Sequence, residues 1–171
     1  MSERKPPRLR SGGQTGVDRA ALDAAIHLGL AYEGWCPKGG WAEDLDKPPG
    51  LLKKYPFLRE TPERRPAQRT NWNVRDGDAT LVLVPKSDFH SEGTEYTIEC
   101  AKEYERPLCV VSYSDGEAAQ IIRSFAKRLT ESQSLNIAGP RESEHPGAYD
   151  ASLALLLESL GRKAQIVLRA G

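Results

Sequence analysis

Ser11-Gly12-Gly13-Gln14-Thr15-Gly16 is the stretch that decides the fold of this 171-residue chain. It follows a short strand end over 9–11 and precedes apolar residues at helical spacing over 17–28, which predict a helix that ends at Gly29. Glycines let the backbone approach a ligand closely, and the N–H groups and dipole of a helix N-terminus favour an anion. The stretch therefore predicts a site for a phosphate or similar anion. The alternative is a tight strand-to-helix turn that binds nothing.

The rest of the chain alternates apolar runs with amphipathic segments. The run 79–84 is the clearest strand, because it is apolar on both faces as a central parallel strand should be. Further strands are predicted over 32–35, 108–111 and 135–138, with an added edge strand over 164–168. One helix is predicted to begin within 66–73 and to end near 75–78. Other helices are predicted over 94–104, over 115–129 with Asp115 as its N-cap, and over 147–160. This order predicts an α/β fold with a doubly wound, mainly parallel sheet and helices on both faces.

One stretch, 36–65, lacks a regular pattern. Prolines interrupt it at positions 37, 48, 49, 56 and 62, so no long helix fits. We expect a loop of about 30 residues here, a length that is rare in compact domains and usually functional.

Composition narrows the class of protein. We expect a single domain over 1–171, with 1–7 as a flexible N-terminus. Lys plus Arg and Asp plus Glu both number 24, so no overall charge favours nucleic acid or a membrane surface as partner. No apolar run approaches the ~18 residues of a membrane span, and residues 1–10 lack a signal-peptide core, so we expect a cytoplasmic protein.

The three cysteines follow no ligand or disulfide spacing. Cys36, Cys100 and Cys109 contain no C-x-x-C pair, and the histidines show no metal-ligand spacing, so no metal site is predicted. Cys100 and Cys109 lie in apolar patterns and are expected to be buried. Cys36 opens a polar loop next to Lys38, where it is either a structural or exposed cysteine or a nucleophile or metal ligand.

Polar segments follow four of the predicted strands, and ligands of such sheets bind at the carboxyl ends of the strands. We therefore expect one rim to combine the first turn, a second glycine-hydroxyl turn and two cations. The candidate binding residues are Gly12, Gly13, Gln14, Thr15, Gly16, Lys38, Gly93, Thr94, Thr97 and Arg141. For Gly93-Thr94 a simple capping turn is the alternative, and for each cation a solvated side chain.

Two acidic pairs and three tryptophans are further candidates. The pairs at 43–44 and 76/78 could act as acid and base or hold Mg²⁺, or they are solvated or satisfy backbone N–H groups. Trp35, Trp41 and Trp72 offer surfaces for stacking on a purine or pterin ring, although core packing is expected for at least one of them; Trp41, in the polar loop, is the best candidate for stacking.

The string 11–23, Ser-Gly-Gly-Gln-Thr-Gly-Val-Asp-Arg-Ala-Ala-Leu-Asp, closely resembles the opening of the molybdenum (molybdenum-cofactor) carrier family. The resemblance continues through 34–39, 42–44, 69–70, 73–74, 76, 78–80, 93–94, 97 and 136–143, in the expected order. It implies a Rossmann-like fold in the SLOG, or lysine-decarboxylase-like, superfamily, whose members bind nucleotides or similar phosphorylated ligands.

The resemblance also implies a function. A carrier would bind the molybdenum cofactor, a pterin with a phosphate and a metal-bearing dithiolene, or else a nucleotide as a sensor. The 12–16 turn and Gly93-Thr94 would hold the phosphate, while Lys38 and Arg141 would offset its charge. Molybdoenzymes are candidate recipients, and relatives commonly form homodimers or higher homo-oligomers.

The alternative implied by the resemblance is a nucleoside-monophosphate phosphoribohydrolase. Those relatives carry Pro-Gly-Gly-x-Gly-Thr-x-x-Glu, whose carboxylate serves in cleavage of the N-glycosidic bond. Here the corresponding stretch is 89–97, and Thr97 stands where the glutamate would be. A hydroxyl cannot stabilise an oxocarbenium-like state as a carboxylate does, so the sequence favours binding over hydrolysis and identifies no catalytic residue.

Overall fold

The computed structural model describes residues 5–161 of the chain. Its strands are β1 (Arg8–Arg10), β2 (Tyr32–Cys36), β3 (Leu58–Glu60), β4 (Ala79–Val84), β5 (Leu108–Ser112) and β6 (Ser134–Ala138). Its helices are α1 (Val17–Leu28), α2 (Leu51–Lys54), α3 (Pro66–Asp76), α4 (Glu92–Glu103), α5 (Ala118–Ala126) and α6 (Ala148–Leu160), with a 3₁₀ turn over Lys38–Gly40. Within this part of the chain no helix is long and apolar enough to cross a membrane.

The strands form one parallel sheet in the order β3-β2-β1-β6-β4-β5. The predicted Rossmann-like α/β fold is therefore confirmed. The last strand, β6, lies between β1 and β4, with Leu9 and Ala79 both in register with Leu135. This insertion brings the loop after β6 next to the glycine-rich turn after β1.

Helices cover both faces of the sheet, because side chains alternate between the faces along each strand. Leu81 and Leu83 of β4 belong to a cluster that includes buried residues of α1, α5 and α6. On the other face, α3 and α4 pack together through Val74, Cys100 and Ala101. The two layers hold the strand ends rigidly, which a binding rim requires.

The prediction of one long loop over 36–65 was wrong in part. It contains α2 and the edge strand β3, whose residue Leu58 pairs with Gly34 of β2. β3 was missed because it is short, lies between two prolines and includes two charged residues, so it shows no apolar alternation. The sheet gains its outermost strand through backbone pairing with β2 and through Leu58, which is buried in a cluster with Cys36, Leu51 and Tyr55.

Other element boundaries agree closely with the predictions or lie beyond the described residues. Helix α5 begins at Ala118 rather than at Asp115, whose carboxylate instead accepts the Glu117 N–H at 2.8 Å in the turn before the helix. The edge strand predicted over 164–168 and most of the flexible N-terminus predicted over 1–7 lie outside the described residues, which begin at residue 5.

Candidate functional site

The turn after β1 and the loop after β6 meet at Gly16. The Val17 N–H donates to the Pro140 carbonyl at 3.2 Å. A Cβ built on Gly16 would lie 2.3 Å from that carbonyl oxygen, and the φ of Gly16 is +75°. Glycine is therefore required here, for close backbone approach as well as for its conformation.

Gly139, in the loop after β6, contacts the same junction between β4 and the start of α1. A Cβ at this position would lie 2.3 Å from the Leu83 carbonyl oxygen of β4 and 2.6 Å from Cγ2 of Val17. The start of α1, the end of β4 and the loop after β6 thus converge within van der Waals contact. The predicted rim exists for these three elements.

The glycine-rich turn is shaped by its own side chains. Ser11 Oγ donates to the Asp18 carbonyl at 2.8 Å and accepts the Gly13 N–H at 3.2 Å. Gln14, 3% exposed, uses Oε1 to accept the N–H groups of Thr15 at 3.0 Å and Glu43 at 2.9 Å. The buried Gln14 side chain therefore fixes the turn and attaches it to the loop after β2.

Glu43 links three loops of the rim. Its carboxylate accepts hydrogen bonds from the Thr15 hydroxyl and from the Ser143 hydroxyl, the latter at 2.6 Å. Thr15 Oγ1 in turn accepts the Glu142 N–H at 3.2 Å. Although burial alone would raise the pKa of Glu43, the bonds from Ser143 and Thr15 hold it below its ordinary value. The carboxylate is ionised and braces the turn.

Asp44 serves a similar role through Arg19. Its two carboxylate oxygens accept hydrogen bonds from the two terminal nitrogens of the Arg19 guanidinium, at 2.9 and 2.8 Å. The Arg19 Nε donates to the Gly13 carbonyl at 3.0 Å. The hydrogen bonds from Arg19 hold the pKa of Asp44 below its ordinary value. The 43–44 pair thus holds loops together.

The second acidic pair also has structural partners. Asp78 accepts the Ser134 N–H at 2.8 Å, and Asp76 accepts the Trp35 indole N–H at 2.7 Å. Its carboxylate also pairs with Arg75. Of the interpretations that the sequence left open, satisfaction of a backbone N–H group applies to Asp78.

Arg69 of α3 is a rim residue that the site prediction missed. Its Nη1 donates to Asp18 Oδ2 at 2.6 Å, and a Cβ built on Gly12 would lie 2.1 Å from that nitrogen. Burial raises the pKa of Asp18, and the charge and hydrogen bond of Arg69 oppose that rise. Arg69 Nε is buried with no partner among the described residues. The only sequence signal for it was its place in the family motif, 69–70.

Arg141 brings a positive charge next to the turn. A Cβ built on Gly16 would lie 2.9 Å from the Arg141 carbonyl carbon, so the residue adjoins the glycine-rich turn, and its charge contributes to lowering the pKa of both Asp18 and Glu43. The residue is half-buried, and within residues 5–161 its side chain has no hydrogen bond or ion pair. A cation in that position is free to bind an anion at the start of α1.

The helix N-termini at this rim differ in how they are capped. Ser91 caps α4 by accepting the Thr94 N–H at 3.3 Å. Glu142 accepts the N–H groups of Gly147 and Tyr149 at the start of α6. Helix α1, which begins after Gly16, has no side-chain cap. Helices α3 and α5 also have no side-chain cap. The first N–H of α1, that of Val17, is bonded to the Pro140 carbonyl, so the N-terminal dipole of α1 is what it offers to an external anion.

The second predicted turn has its hydroxyls engaged internally. Thr94 and Thr97 are each 3% exposed. The Thr97 hydroxyl donates to the Gly93 carbonyl at 2.8 Å, and Thr94 Oγ1 accepts the Ser91 hydroxyl at 2.8 Å. Gly93 itself faces open space. These residues flank the rim at the end of β4, two strands away from β1.

Lys38 lies on the 3₁₀ turn after β2 and is exposed. In the described part of the chain, no hydrogen bond or ion pair joins its ammonium group to the glycine-rich turn. Of the two predicted cations, Arg141 adjoins the turn at Gly16, whereas Lys38 has no contact of this kind among the described residues.

Cys36 is buried, and the three tryptophans contact other side chains of the protein. Cys36 is fully buried, and burial raises the pKa of its thiol to about 11, so it is not a thiolate at neutral pH. The Arg64 guanidinium lies 5.7 Å from the Trp41 ring centre, and the Trp35 and Trp72 rings pack edge to face at 4.8 Å. Over the described residues no group of three or more metal-ligating side chains is arranged around a common point.

The fold and this rim define a Rossmann-like α/β protein whose glycine-rich turn, uncapped helix and free arginine form a candidate anion site. The chain belongs to the circularly permutated YpsA SLOG family, whose model matches residues 9–160. It is similar to the putative molybdenum carrier protein from Syntrophus aciditrophicus SB, with 32% sequence identity and a TM-score of 0.78 over 95% of this chain and 100% of that one. No curated protein matches the chain.

Proposed function

We propose that this protein binds a small phosphorylated heterocycle, the molybdenum cofactor or a nucleotide, and holds it without cleaving it. The phosphate would bind at the start of α1, over Gly12, Gly13 and Gly16. Arg141 carries this proposal, because this half-buried residue adjoins the turn at Gly16 and its side chain has no hydrogen bond or ion pair within residues 5–161.

The donor set at the rim suits a phosphate monoester. Backbone N–H groups, a helix dipole and an arginine bind phosphate without needing a metal. In the molybdenum cofactor the dithiolene of the pterin holds the metal, so the protein need only bind the phosphate and the ring. Lys38 and Gly93 would lie at the outer part of the same rim, and the buried Thr94 and Thr97 would shape it from within α4.

The orientation of α4 favours holding over hydrolysis. Its buried face carries Thr94 and Thr97, whereas Glu95 and Glu99 are exposed. Glu95 pairs with His90 at 2.9 Å on the surface. No carboxylate of α4 therefore points into the rim as the hydrolase alternative would need.

The proposed setting follows from the carrier role. We expect the whole chain to act as one domain in the cytoplasm and to deliver its ligand to a molybdoenzyme. The similarity to a protein described as a molybdenum carrier supports this setting.

Calorimetric titration with molybdopterin, GMP, AMP and inorganic phosphate tests the proposal. Arg141→Ala should weaken binding of the best phosphorylated ligand by about tenfold or more, which corresponds to roughly 1.4 kcal/mol. Arg59→Ala, which removes an exposed arginine on β3, is the matched control and should bind as the wild type does.

Two results would overturn the proposal. Unchanged affinity in Arg141→Ala would remove the phosphate site from the start of α1. Release of free base from GMP or AMP by the purified protein would establish the hydrolase alternative. Mass spectrometry of small molecules retained through gentle purification identifies the heterocycle.

A further inference from the structure

The carboxylate of Glu43 occupies a set of hydrogen-bond donors that suits an oxyanion. Its Oε1 accepts hydrogen bonds from the Thr15 hydroxyl and from the Ser143 N–H, the latter at 3.3 Å. Its Oε2 accepts the Ser143 hydroxyl at 2.6 Å. These donors belong to the loops after β1 and β6, whereas Glu43 belongs to the loop after β2. Three donors from two other loops therefore converge on one negatively charged group.

Glu43 differs from the other acidic residues beside the turn in how its charge is balanced. Asp18 and Asp44 each form an ion pair with an arginine. Among residues 5–161, no cation forms an ion pair with Glu43, and hydroxyl and N–H groups hold its carboxylate instead. The charge of Arg141 contributes to lowering its pKa. Neutral donors next to a positive charge are the surroundings in which proteins bind an anionic ligand.

The Glu43 side chain can leave these donors without unfolding the loop that carries it. The Glu43 N–H donates to Gln14 Oε1 at 2.9 Å, and the adjacent Asp44 keeps its own ion pair. Ala42 and Leu45 close the tip of the loop through two backbone hydrogen bonds, at 3.1 and 2.9 Å. None of these contacts involves the Glu43 carboxylate. Because Glu43 is half-buried, rotation of its side chain can carry the carboxylate into solvent.

We propose that Thr15 and Ser143 form an oxyanion subsite for the phosphate of the ligand, and that the Glu43 carboxylate fills this subsite in the ligand-free protein. This inference rests on the proposed function, because the subsite adjoins the start of α1, where that phosphate would bind. The incoming phosphate replaces the carboxylate on the same three donors, which are the two hydroxyls and the Ser143 N–H. Each donor has an acceptor before and after the exchange, so no polar group is left unpaired.

Electrostatic repulsion explains why the two anions exchange rather than bind side by side. A phosphate at the start of α1 would be a neighbour of the Glu43 carboxylate on Thr15, and like charges at such short range repel strongly in a partly buried site. The positive charge of Arg141 attracts a phosphate dianion more than a carboxylate, because the dianion carries the larger charge. Glu43 is therefore a resident competitor, which sets how strongly an anion must bind to enter the site.

Calorimetric titration of Glu43→Gln with inorganic phosphate and with GMP tests the proposal. The amide keeps the size of the side chain but removes its charge. We therefore expect both probes to bind about three- to tenfold more tightly to this variant than to the wild type. Asp46→Asn, which removes an exposed charge from the same loop, is the matched control and should bind both probes as the wild type does.

Two further measurements separate a competitor from a purely structural contact. Ser143→Ala removes one donor, and when it is introduced into Glu43→Gln it should weaken phosphate binding by about threefold or more. Urea titration should show that Glu43→Gln is less stable than the wild type, because its hydrogen bonds to Thr15 and Ser143 lose the assistance of the charge. A resident competitor predicts tighter binding together with lower stability, whereas loss of a purely structural contact would lower both.

The outcomes distinguish failure of this inference from failure of the proposed function. Equal or weaker phosphate binding by Glu43→Gln, or no effect of Ser143→Ala in that background, would overturn the subsite. The proposed function would stand in that case if Arg141→Ala still weakens binding. Tighter binding by Glu43→Gln with unchanged affinity in Arg141→Ala would support the subsite and overturn the site at the start of α1. Absence of phosphate and GMP binding by every variant would overturn both.

Discussion

Arg69 of helix α3 donates to the carboxylate of Asp18 in helix α1 at 2.6 Å, directly beneath Gly12. Both side chains are nearly enclosed, with Arg69 11% and Asp18 4% exposed. The pair joins the two helix layers around the edge of the glycine-rich turn. Gly12 is a glycine because the guanidinium occupies the space of a Cβ.

Breaking this pair should be costly. Arg69→Gln should lower the free energy of unfolding by about 3–5 kcal/mol, because it leaves the buried Asp18 carboxylate without its cation. Asp18→Asn should have a cost of the same order. The double variant should cost clearly less than the sum, as urea titration of all four proteins will measure. Additive costs would show that the pair does not act as a unit.

Gly16 and Gly93 should respond in opposite ways to alanine. Gly16→Ala forces a Cβ to within 2.3 Å of the Pro140 carbonyl at a φ of +75°, and should lower the free energy of unfolding by roughly 2–4 kcal/mol. Gly93→Ala, in open space inside α4, should raise it by about 0.4–1 kcal/mol. Thermal unfolding of both variants checks the contrast, and equal effects would contradict the close approach at Gly16.

Asp44 should make the free energy of unfolding depend on pH in the acidic range. The Arg19 hydrogen bonds lower its pKa from the ordinary 3.8 in the folded protein, so it stabilises folding above that pH. The contribution is lost as the pH falls through the lowered folded value. The difference in unfolding free energy between wild type and Asp44→Asn should therefore be present at pH 7 and shrink below about pH 4. Asp46→Asn, at an exposed neighbour, is the control; a difference independent of pH would contradict the ion pair.

Asp23 should anchor two helices to α1. It accepts hydrogen bonds from Tyr55 after α2 at 2.5 Å and from Tyr149 of α6 at 2.6 Å. Asp23→Ala should lower the free energy of unfolding by about 2–4 kcal/mol, because the hydroxyl of the fully buried Tyr55 loses its acceptor. Tyr149→Phe should cost about 1 kcal/mol.

Alkaline titration provides an independent check on the same contact. Burial, the hydrogen bond to Asp23 and its charge raise the pKa of Tyr149 to about 12. In Asp23→Ala, ultraviolet titration should show a tyrosine that ionises at lower pH than in the wild type. An unchanged titration curve would mean that the hydrogen bond is not maintained in solution.

Much of the fold was predictable from local pattern. Helix α1 spans 17–28 and strand β4 spans 79–84 as expected, because amphipathic spacing and a long apolar run are strong signals. Strand β3 was missed, since a three-residue edge strand with a single buried side chain, Leu58, shows no apolar alternation. Its existence depends on β2 lying beside it.

The site divides in the same way. The glycine-rich turn and Arg141 were identified from residue type and position, and the structure brings them together. Arg69 was not singled out, because a lone arginine in a helix is usually solvated and only the packing of α3 against Gly12 encloses it. Lys38 was expected to reach the same rim; it is exposed on the 3₁₀ turn after β2, and its part in binding stays a prediction.

The sequence by itself determined the elements of this protein and the chemistry of its first turn, because helix periodicity, strand hydrophobicity and glycine requirements are local properties. Only the tertiary structure decided the order of the strands. The insertion of β6 between β1 and β4 depends on the packing of helices on both faces, which no local pattern encodes. That order sets Arg141 beside a turn 125 residues earlier in the chain, at Gly16, and makes β5 the outermost strand on its side among residues 5–161.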